Sequence, residues 1–436
     1  MRVLDKAHLQ FTPMRLYSRK KSVVDEMADG RRRLLASLPV QDAKAYAGPF
    51  PKITEPKEVA CFSRDADRSV HFDRRQLRAY RPATLPAELD AGFDGFRPKD
   101  PTATDPAPLQ DVIGALAHHR IVPQRGQIVT YRNNLNKLFL TPYNRKDDWE
   151  IGVESDAADG TVRLQVRDTA RKTSEEASKS ERDRRFEYWG YRFEQLSTLS
   201  AAEAKALAAF RARNVTSDGA YRVPSPSDPG SFDELYDDDE LPRVVQRYGG
   251  AAPASSPLGP VDANEEFCIV CQLSIGKAKL LMAAEIDCMS DGSVAGQKPG
   301  SYVELKTSKQ HLSVRDLESF ERHKQLKFWL QSFLAGVPTV IVGFRDDAGR
   351  VLELKTYETR SMHKGSIREK GYWDAAACFS FGCSALEWLL EQLAKLDVAA
   401  APRCILRYEP SAAALQLLLV EDAIEQGSDE QVSKRP

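Results

Sequence analysis

The sequence of 436 residues lacks long apolar segments. It has no run of about 18 apolar residues, and its first 21 residues lack the apolar region and small-residue cleavage site of a secretory signal. A hydrophobic content of 42% is nevertheless ordinary for a globular chain and suffices for a sizeable core. We therefore expect a soluble intracellular protein that does not enter a membrane.

The sequence also lacks an excess of charge and an even set of cysteines. The formal net charge is −1, so a polyanion would have to be bound by local clusters or through metal ions. The seven cysteines are scattered, which argues against a disulfide framework. Cys268 and Cys271 form the only CxxC motif, and no second pair at zinc spacing accompanies it. The pattern favours packed thiols over a zinc site.

Composition predicts one large domain with less regular ends. Segments rich in Pro, Gly, Ser and acidic residues are typical of mobile connections, whereas strand-like runs resume directly after them. We expect an N-terminal arm with one helix at 1–46, a single catalytic domain at 47–420 with a mobile acidic insertion at 224–262, and a disordered tail at 421–436.

Apolar periodicity predicts a mixture of helices and strands. The predicted helices are 109–119, 201–213 and 313–336, where Ser313 begins the last helix and Gly336 ends it. The predicted strands are 266–275, 279–284, the segment around 302–306, the segment 190–194, and two strands around a polar turn at Asn133 and Asn134 within 127–143.

Two carboxylate motifs lie on apolar strand-like segments. Glu285 and Asp287 are two residues apart, as are Glu304 and Lys306, so each pair points to one face of its strand. The turn-rich connection at 288–302 would allow the two strands to pair as neighbours. The four polar groups would then converge on one patch.

The predicted patch has more negative than positive charge. Three carboxylates raise one another's pKa, and Lys306 offsets only one of them. An all-oxygen ligand set favours one or two Mg²⁺ or Mn²⁺ ions over zinc, and such a site suits hydrolysis of phosphodiester or pyrophosphate bonds. The alternative is an exposed hairpin with a surface ion pair. The arrangement is also that of restriction-endonuclease-like nucleases.

The helix at 313–336 carries a polar stripe that includes Lys324, Lys327 and Gln331. Spacings of three and four residues place these side chains on one side of the helix. Gln331 could then reach the strand-borne patch with two lysines behind it. A stripe that simply faces water is the open alternative.

Six segments resemble, in order, the DXO-type decapping and exoribonuclease family of eukaryotes. The resemblance covers about residues 48–385. It implies a mixed α/β fold with two packed β-sheets flanked by helices and a restriction-endonuclease-like catalytic core. The segments are PFPKITEPKEVACFSRDADR at 49–68, TYRNNLNKL at 130–138, GYRFEQL at 190–196, AEIDC at 284–288, VELKTSK at 303–309 and KFWLQSFLAGVPTVIVGFR at 327–345.

The resemblance implies roles for individual residues. Metal ligands would be Glu194, Glu285, Asp287, Glu304 and the backbone carbonyl of Leu305, with two Mg²⁺ or Mn²⁺ ions. Lys306 and Gln331 would lie at the scissile phosphate. The residues that contact substrate would be Arg68, Tyr131, Arg132, Asn133, Cys268, Glu285, Lys306 and Gln331.

The implied function is metal-dependent hydrolysis at RNA 5′ ends. Members remove incomplete, unmethylated or NAD-type caps or release pyrophosphate from 5′-triphosphate RNA, and some degrade RNA from 5′ to 3′. The resemblance also implies a role in mRNA quality control in the nucleus. Two alternatives stay open, a mainly stabilising partner of a nuclear 5′-to-3′ exoribonuclease and a restriction-like DNA endonuclease.

Overall fold

The computed structural model describes residues 31–99, 109–205, 259–290, 301–396 and 402–421. These residues contain strands β1 (Arg31–Pro39), β2 (Lys57–Arg64), β3 (Val70–His71), β4 (Ala79–Tyr80), β5 (Ala87–Glu88), β6 (Ile128–Tyr131), β7 (Trp149–Ser155), β8 (Val162–Arg167), β9 (Thr198–Leu199), β10 (Glu266–Ile275), β11 (Ala278–Glu285), β12 (Cys288–Met289), β13 (Tyr302–Lys309), β14 (Thr339–Arg345), β15 (Arg350–Glu358), β16 (Arg403–Glu409) and β17 (Ala414–Glu421).

The α-helices connect and cover these strands. Shorter 3₁₀ turns lie at Ala43–Tyr46, Phe93–Gly95 and Thr141–Tyr143, and residues 201–205 are helical. The helices are α1 (Leu109–His118), α2 (Arg132–Leu140), α3 (Ala170–Ala177), α4 (Glu181–Leu196), α5 (Val314–Ser319), α6 (Gln325–Leu334), α7 (Ser366–Lys370) and α8 (Ala375–Leu393), and a π-helical turn at Phe320–Lys324 joins α5 to α6.

The strands form two mixed sheets, which confirms the predicted fold class. The larger sheet has the order β1-β17-β16-β7-β8-β6-β11-β10-β2-β3, and the smaller has β5-β15-β14-β13-β12-β4-β9. One apolar cluster contains Ile269 and Leu280 of the larger sheet together with Val340 and Val342 of the smaller. Burial of this shared cluster packs the two sheets against each other.

Helix α4 lies against the smaller sheet, and its sequence explains both its start and its position. Ser180 and Asp183 form a reciprocal capping box before the first turn. Farther along, Phe193 packs over Gly343 of β14, where an added Cβ would lie 2.7 Å from the Phe193 ring. The absence of a side chain at Gly343 therefore permits the close approach that fixes the C-terminal half of α4.

Several predictions about local structure are confirmed. Helix α1, strands β10 and β11, and strand β13 lie where apolar spacing predicts them. Ser313 accepts a hydrogen bond from the Asp316 backbone N–H at 3.2 Å, and Gly336 follows α6 with φ of 69°. The predicted helix at 313–336 is nevertheless interrupted by the π-helical turn. Only residues 201–205 of the predicted helix 201–213 are described, and these are helical.

Two predicted strands are helices instead. Arg132–Leu140 forms α2 directly after β6, because Leu135, Leu138 and Phe139 are spaced to bury one helical face. The segment 190–194 lies inside α4, where Trp189 and Phe193 are buried at a spacing of four residues. In both cases polar residues within a short segment made the helical spacing of the buried residues hard to recognise.

The predicted pairing of the two motif strands is also wrong. β11 lies in the larger sheet, whereas β13 lies in the smaller and pairs with β12 and β14. The chain crosses from one sheet to the other between Glu285 and Cys288. The two carboxylate motifs therefore meet where the sheets approach each other rather than within one hairpin.

The predicted ends need a correction as well. Residues 31–39 of the predicted arm form β1, which pairs with β17 and belongs to the larger sheet. Within the predicted insertion, 259–262 are described and Val261 is 4% exposed. The rest of the insertion, residues 1–30 and residues 422–436 lie outside the described residues. All seven cysteines are free thiols, and no helix in the described part of the chain is long and apolar enough to cross a membrane.

Candidate active site

The site forms where β11 ends and the chain crosses to the smaller sheet. Glu285 is the last residue of β11, and Asp287 lies in the crossing segment. Asp287 Oδ2 accepts a hydrogen bond from the Leu305 backbone N–H at 2.6 Å. This bond ties the crossing segment to β13 and brings the E-x-D motif beside the E-x-K motif.

Glu304 is 1% exposed and contacts three polar side chains of the site. Its Oε1 accepts a hydrogen bond from Lys306 Nζ and another from Gln331 Nε2 at 2.5 Å. Its Oε2 lies 3.5 Å from Arg132 Nη1. Glu304 therefore joins β13, α6 and the first turn of α2 at one point.

Arg132 and Gln331 reach the site from helices. Arg132 is buried at the start of α2, and its Nη1 also donates to the Gln331 backbone carbonyl at 3.4 Å. Gln331 is partly buried and its Nε2 donates to Glu304, so its side chain faces the site rather than open solvent. The reading of Gln331 as part of a water-facing stripe is therefore wrong.

Glu194 approaches from the C-terminal end of α4. Burial raises the pKa of its carboxyl well above the ordinary value, and the charge of Asp287 raises it further. Lys306 opposes this shift, whereas Glu285 and Glu304 add to it. Glu194 is therefore close enough to interact with all the carboxylates that the sequence assigned to the site.

The remaining pKa shifts show how the charges are distributed. Burial raises the pKa of Asp287 to about 7, and the charge of Glu304 contributes to the increase. Burial acts in the same direction on Glu304, but the cations Lys306 and Arg132 outweigh it and lower its pKa. Lys306 has a raised pKa, because the surrounding carboxylates outweigh the effect of burial. It is therefore an ammonium ion at neutral pH.

The donor set fits a divalent metal ion. Four carboxylates, Glu194, Glu285, Asp287 and Glu304, face two cations. Burial raises the pKa of Glu194 and of Asp287, and the neighbouring carboxylates raise both pKa values further. Oxygen ligands and a net negative site suit hard divalent ions. Among the described residues no three acidic, His or Cys side chains already converge at ligand distance, since Glu304 instead contacts Lys306, Gln331 and Arg132.

This geometry can be compared with known proteins. The sequence model of the RAI1-like PD-(D/E)XK nucleases matches residues 54–221 and 246–433. The chain belongs to this family. The family match confirms both the resemblance and the nuclease class of the catalytic core.

Curated relatives of the RAI1-like nuclease are similar along most of their length. The human "Decapping and exoribonuclease protein" is 32% identical over 375 residues, which cover 83% of this chain and 81% of that protein. The "Decapping nuclease RAI1" of Emericella nidulans is 30% identical over 354 residues, covering 80% of this chain and 85% of that protein. The chain therefore spans most of each relative.

Solved structures agree with the fold. The crystal structure of S. pombe Rai1 matches with a TM-score of 0.63 and 25% identity, covering 90% of this chain and all of that chain. S. pombe Rai1 in complex with 3′-FADP matches with a TM-score of 0.61 and 26% identity, covering 90% and 99% of the two chains. The two-sheet architecture is thus that of the RAI1-like nucleases.

Residues expected to contact substrate occupy different parts of this RAI1-like nuclease. Cys268 of β10 is buried and pairs in register with Glu285, and Tyr131 directly precedes Arg132. Asn133 is exposed in the first turn of α2. Arg68 lies in the turn after β2, with φ of 66°, at the same end of the larger sheet as Glu285. The roles of these residues stay predictions.

One buried cluster beside the site was missed by sequence reasoning. Arg64 is 2% exposed and donates to Asp111, to Glu266 and, at 3.1 Å, to the Tyr131 hydroxyl. Lys99 Nζ lies 3.2 Å from Glu266. An arginine that ends the apolar strand KEVACFSR is a signal for a buried cation, but its partners lie 47 and 202 residues away.

Proposed function

We propose that the protein is a metal-dependent hydrolase of RNA 5′ ends. It removes incomplete, unmethylated or NAD-type caps or pyrophosphate from 5′-triphosphate RNA, and it degrades RNA from 5′ to 3′. The observation that carries the proposal is the meeting of the E-x-D and E-x-K motifs with Glu194 and Gln331 at the junction of the two sheets. The names of the human and fungal relatives support the substrate, and 3′-FADP in S. pombe Rai1 supports a dinucleotide-type cap.

The proposed cofactor is Mg²⁺ or Mn²⁺, with two ions per site. Glu194, Glu285, Asp287, Glu304 and the Leu305 carbonyl would hold them. Bound divalent ions lower the pKa of a water molecule and stabilise charge on the leaving oxygen. Release of the proton held by Asp287, whose pKa is about 7, would accompany their binding near neutral pH.

The protein side chains supply positioning and positive charge. Lys306 is protonated at neutral pH, so it can stabilise negative charge on the phosphoryl group but cannot act as a base. Glu304 holds the Lys306 ammonium, which also lies 4.0 Å from Asp287 Oδ2. Gln331 donates to the same Glu304 oxygen and fixes its orientation. Lys306 is therefore held in place before substrate binds.

The direct test is an assay with purified protein and Mg²⁺ or Mn²⁺. RNAs with a 5′-triphosphate, an unmethylated cap, a methylated cap, an NAD cap or a monophosphate would be incubated and their products identified. We expect hydrolysis at the 5′ end and a loss of at least about a hundredfold in rate for Glu285→Ala with Asp287→Ala. Wild-type turnover by this double variant would refute the mechanism.

Lys306→Ala separates catalysis from metal binding. We expect the rate to fall while Mn²⁺ binding, measured by calorimetry, is retained, because the lysine carries positive charge and is not a ligand. Loss of Mn²⁺ binding would mean that Lys306 acts structurally. Cleavage of duplex DNA irrespective of its 5′ group would instead favour a restriction-like endonuclease.

The cellular setting is a separate proposal that rests on the family. We propose a nuclear location and binding to a 5′-to-3′ exoribonuclease. Affinity purification that recovers a large exoribonuclease in equal amount would support a partner role. If the Glu285→Ala, Asp287→Ala variant retained the full cellular role, the stabilising function would outweigh catalysis.

A further inference from the structure

A hydrogen-bonded bridge joins the two sheets beside the catalytic residues. The Tyr302 hydroxyl, on β13 of the smaller sheet, donates to Glu58 Oε2, on β2 of the larger sheet, at 2.7 Å. Arg74 Nη1 donates to the same hydroxyl at 2.7 Å, and Arg74 Nη2 donates to Glu58 Oε1. Each of the three side chains therefore contacts the other two.

We propose that this bridge sets the separation of the two sheets at the catalytic site, and that Tyr302 is a positioning residue for the metal ligand Glu304. The inference rests on the proposed function, because it takes Glu285 and Glu304 as ligands of one metal centre. Glu285 lies on β11 of the larger sheet and Glu304 on β13 of the smaller, so the separation of the sheets determines the distance between these ligands. Metal and catalytic sites need their groups held within about 0.5 Å of the productive geometry.

A β-bulge directs Glu58 toward the smaller sheet. Ala60 of β2 pairs with Val270 and Glu58 pairs with Cys271, so Val59 is an extra residue between two successive pairs. Ala60 belongs to a separate apolar cluster that includes residues of α1, whereas Cys271 belongs to the cluster shared by the two sheets. Strict alternation would give Glu58 the same face as Ala60. The bulge places Glu58 on the face of Cys271 instead, where it meets Tyr302.

Tyr302 lies on the same face of β13 as the catalytic side chains. Tyr302, Glu304 and Lys306 alternate with Val303 and Leu305, which pack in a cluster with residues of α4. Tyr302 packs against the cluster shared by the two sheets. It precedes Glu304 by two residues, or about 7 Å along the strand. A displacement of Tyr302 therefore moves the segment of β13 that carries Glu304.

Apolar packing is incomplete beside the bridge. A cavity of about 900 Å³ adjoins Tyr302, and its lining includes Leu273 of β10, Leu334 of α6 and Phe379 of α8. Because side chains do not fill this space, apolar contacts alone do not fix the separation of the sheets here. The hydrogen bonds of Tyr302 therefore connect the sheets at the edge of the cavity.

Arg132 provides a second connection between the larger sheet and β13. It begins α2 directly after β6, and its Nη1 lies 3.5 Å from Glu304 Oε2. Loss of the Tyr302 connection would leave Glu304 in contact with Arg132 but free to shift along with β13. We therefore expect weaker metal binding rather than complete loss when the bridge is broken.

The test measures Mn²⁺ binding to the full chain by calorimetry at pH 8. Tyr302→Phe removes the hydroxyl and keeps the ring. It should weaken Mn²⁺ binding about tenfold, which is typical for loss of a residue that orients a ligand, and leave the number of ions bound per chain unchanged. Fewer ions bound at unchanged affinity would show only a smaller folded fraction and would overturn the proposal.

A second tyrosine provides the matched control. Tyr408 is 4% exposed on β16, and its hydroxyl donates to the Asn144 backbone carbonyl at 2.9 Å. β16 is four strands away from β11 in the order of the larger sheet. Tyr408→Phe removes a comparable hydrogen bond and should leave Mn²⁺ affinity unchanged. An equal loss of affinity in Tyr408→Phe and Tyr302→Phe would contradict a specific role for the bridge.

A double-mutant cycle tests the contact itself. Glu58→Met should weaken Mn²⁺ binding about as much as Tyr302→Phe does, and the double variant should bind little more weakly than either, because both substitutions break the same bridge. Losses that simply multiply would mean that Tyr302 and Glu58 act independently, which would also overturn the proposal. If the parent chain binds no Mn²⁺, the proposed metal site fails, and the role of the bridge fails with it.

Discussion

Two buried charge clusters lie side by side in the molecule, and they differ in the ratio of cations to carboxylates. Around Arg64, two cations meet two carboxylates, Asp111 and Glu266. In the catalytic site, the two cations Lys306 and Arg132 face four carboxylates. Tyr131 contacts Arg64, and the next residue, Arg132, contacts Glu304, so the clusters are neighbours along the chain. The balanced cluster stabilises the fold, whereas the unbalanced one is arranged to bind a cation.

The largest expected effect comes from breaking the balanced cluster. Arg64→Met leaves two carboxylates, Asp111 and Glu266, without their main partner and should lower the free energy of unfolding by about 3–5 kcal/mol. Urea denaturation measures this loss. The matched variant Arg74→Met removes an arginine whose side chain is 50% exposed, and it should cost less than about 1 kcal/mol. Equal losses would remove the distinction between a buried and an exposed arginine.

The next largest expected effect is an increase in the free energy of unfolding, and it comes from a substitution in the unbalanced cluster. The pKa of Asp287 is about 7 in the folded chain against an ordinary 3.8, so the folded state keeps a proton that the unfolded state has lost. Stability without metal therefore falls as pH rises from about 4 to 7. Asp287→Asn, which retains an oxygen for the Leu305 N–H, should raise the free energy of unfolding at pH 8 by about 1–2 kcal/mol.

Thermal or urea denaturation in chelator at pH 4 and pH 8 checks this sign. Near pH 4 the carboxyl is protonated in the folded state and about 40% protonated in the unfolded state, so the variant and the parent should differ little. A variant that is less stable than the parent at pH 8 would show that Asp287 is not repelled by its neighbours.

The affinity for metal should also depend on the protonation of Asp287. Below the pKa of Asp287, a metal ion must displace a proton, so Mn²⁺ affinity should rise about tenfold from pH 5 to pH 6 and level off above pH 8. Calorimetry in buffers of different ionisation enthalpy would count the released protons. Affinity that does not change with pH would argue against Asp287 as a ligand.

The smallest expected effect comes from substituting Gln331, which donates a hydrogen bond to Glu304. Gln331→Met removes one hydrogen bond and should lower kcat/KM by about tenfold. Gln331→Glu places a fifth carboxylate in contact with Glu304, so it should lower kcat/KM further at neutral pH and recover in part at lower pH. Equal pH profiles for the two variants would contradict the importance of charge at this position.

The sequence was most informative where a chemical pattern is local. Two-residue spacing on apolar segments indicated that each of the E-x-D and E-x-K motifs presents its polar side chains on one face. Helical spacing left open whether Gln331 reaches the strand-borne patch or faces water, and the structure shows that it contacts Glu304. The sequence did not predict that β11 and β13 lie in different sheets, because pairing over a turn-rich connection is only one option and tertiary packing decides. The partners of Arg64 could not be predicted for the same reason, because contacts between residues far apart in the sequence produce no local pattern.

Glu194 shows a third case, in which the residue was identified but its surroundings were not. The short stretch GYRFE alternates like a strand, whereas the full helix buries Tyr188, Trp189, Arg192 and Phe193 over one face. A window of five residues cannot separate these periods, whereas a window of three turns can. The resemblance therefore identified the position of Glu194, and the helix explains how it reaches the site.

The pairing of β1 with β17 has a practical consequence for engineering. Arg31 and Glu421 are register partners at one end of this antiparallel pair, so the first and last described residues lie at the same corner of the larger sheet. In a chain trimmed to residues 31–421, a short peptide could join Arg31 to Glu421, and new ends could be opened in a distant surface loop. A circularly permuted enzyme of this kind would keep every catalytic strand in place while moving its fusion point.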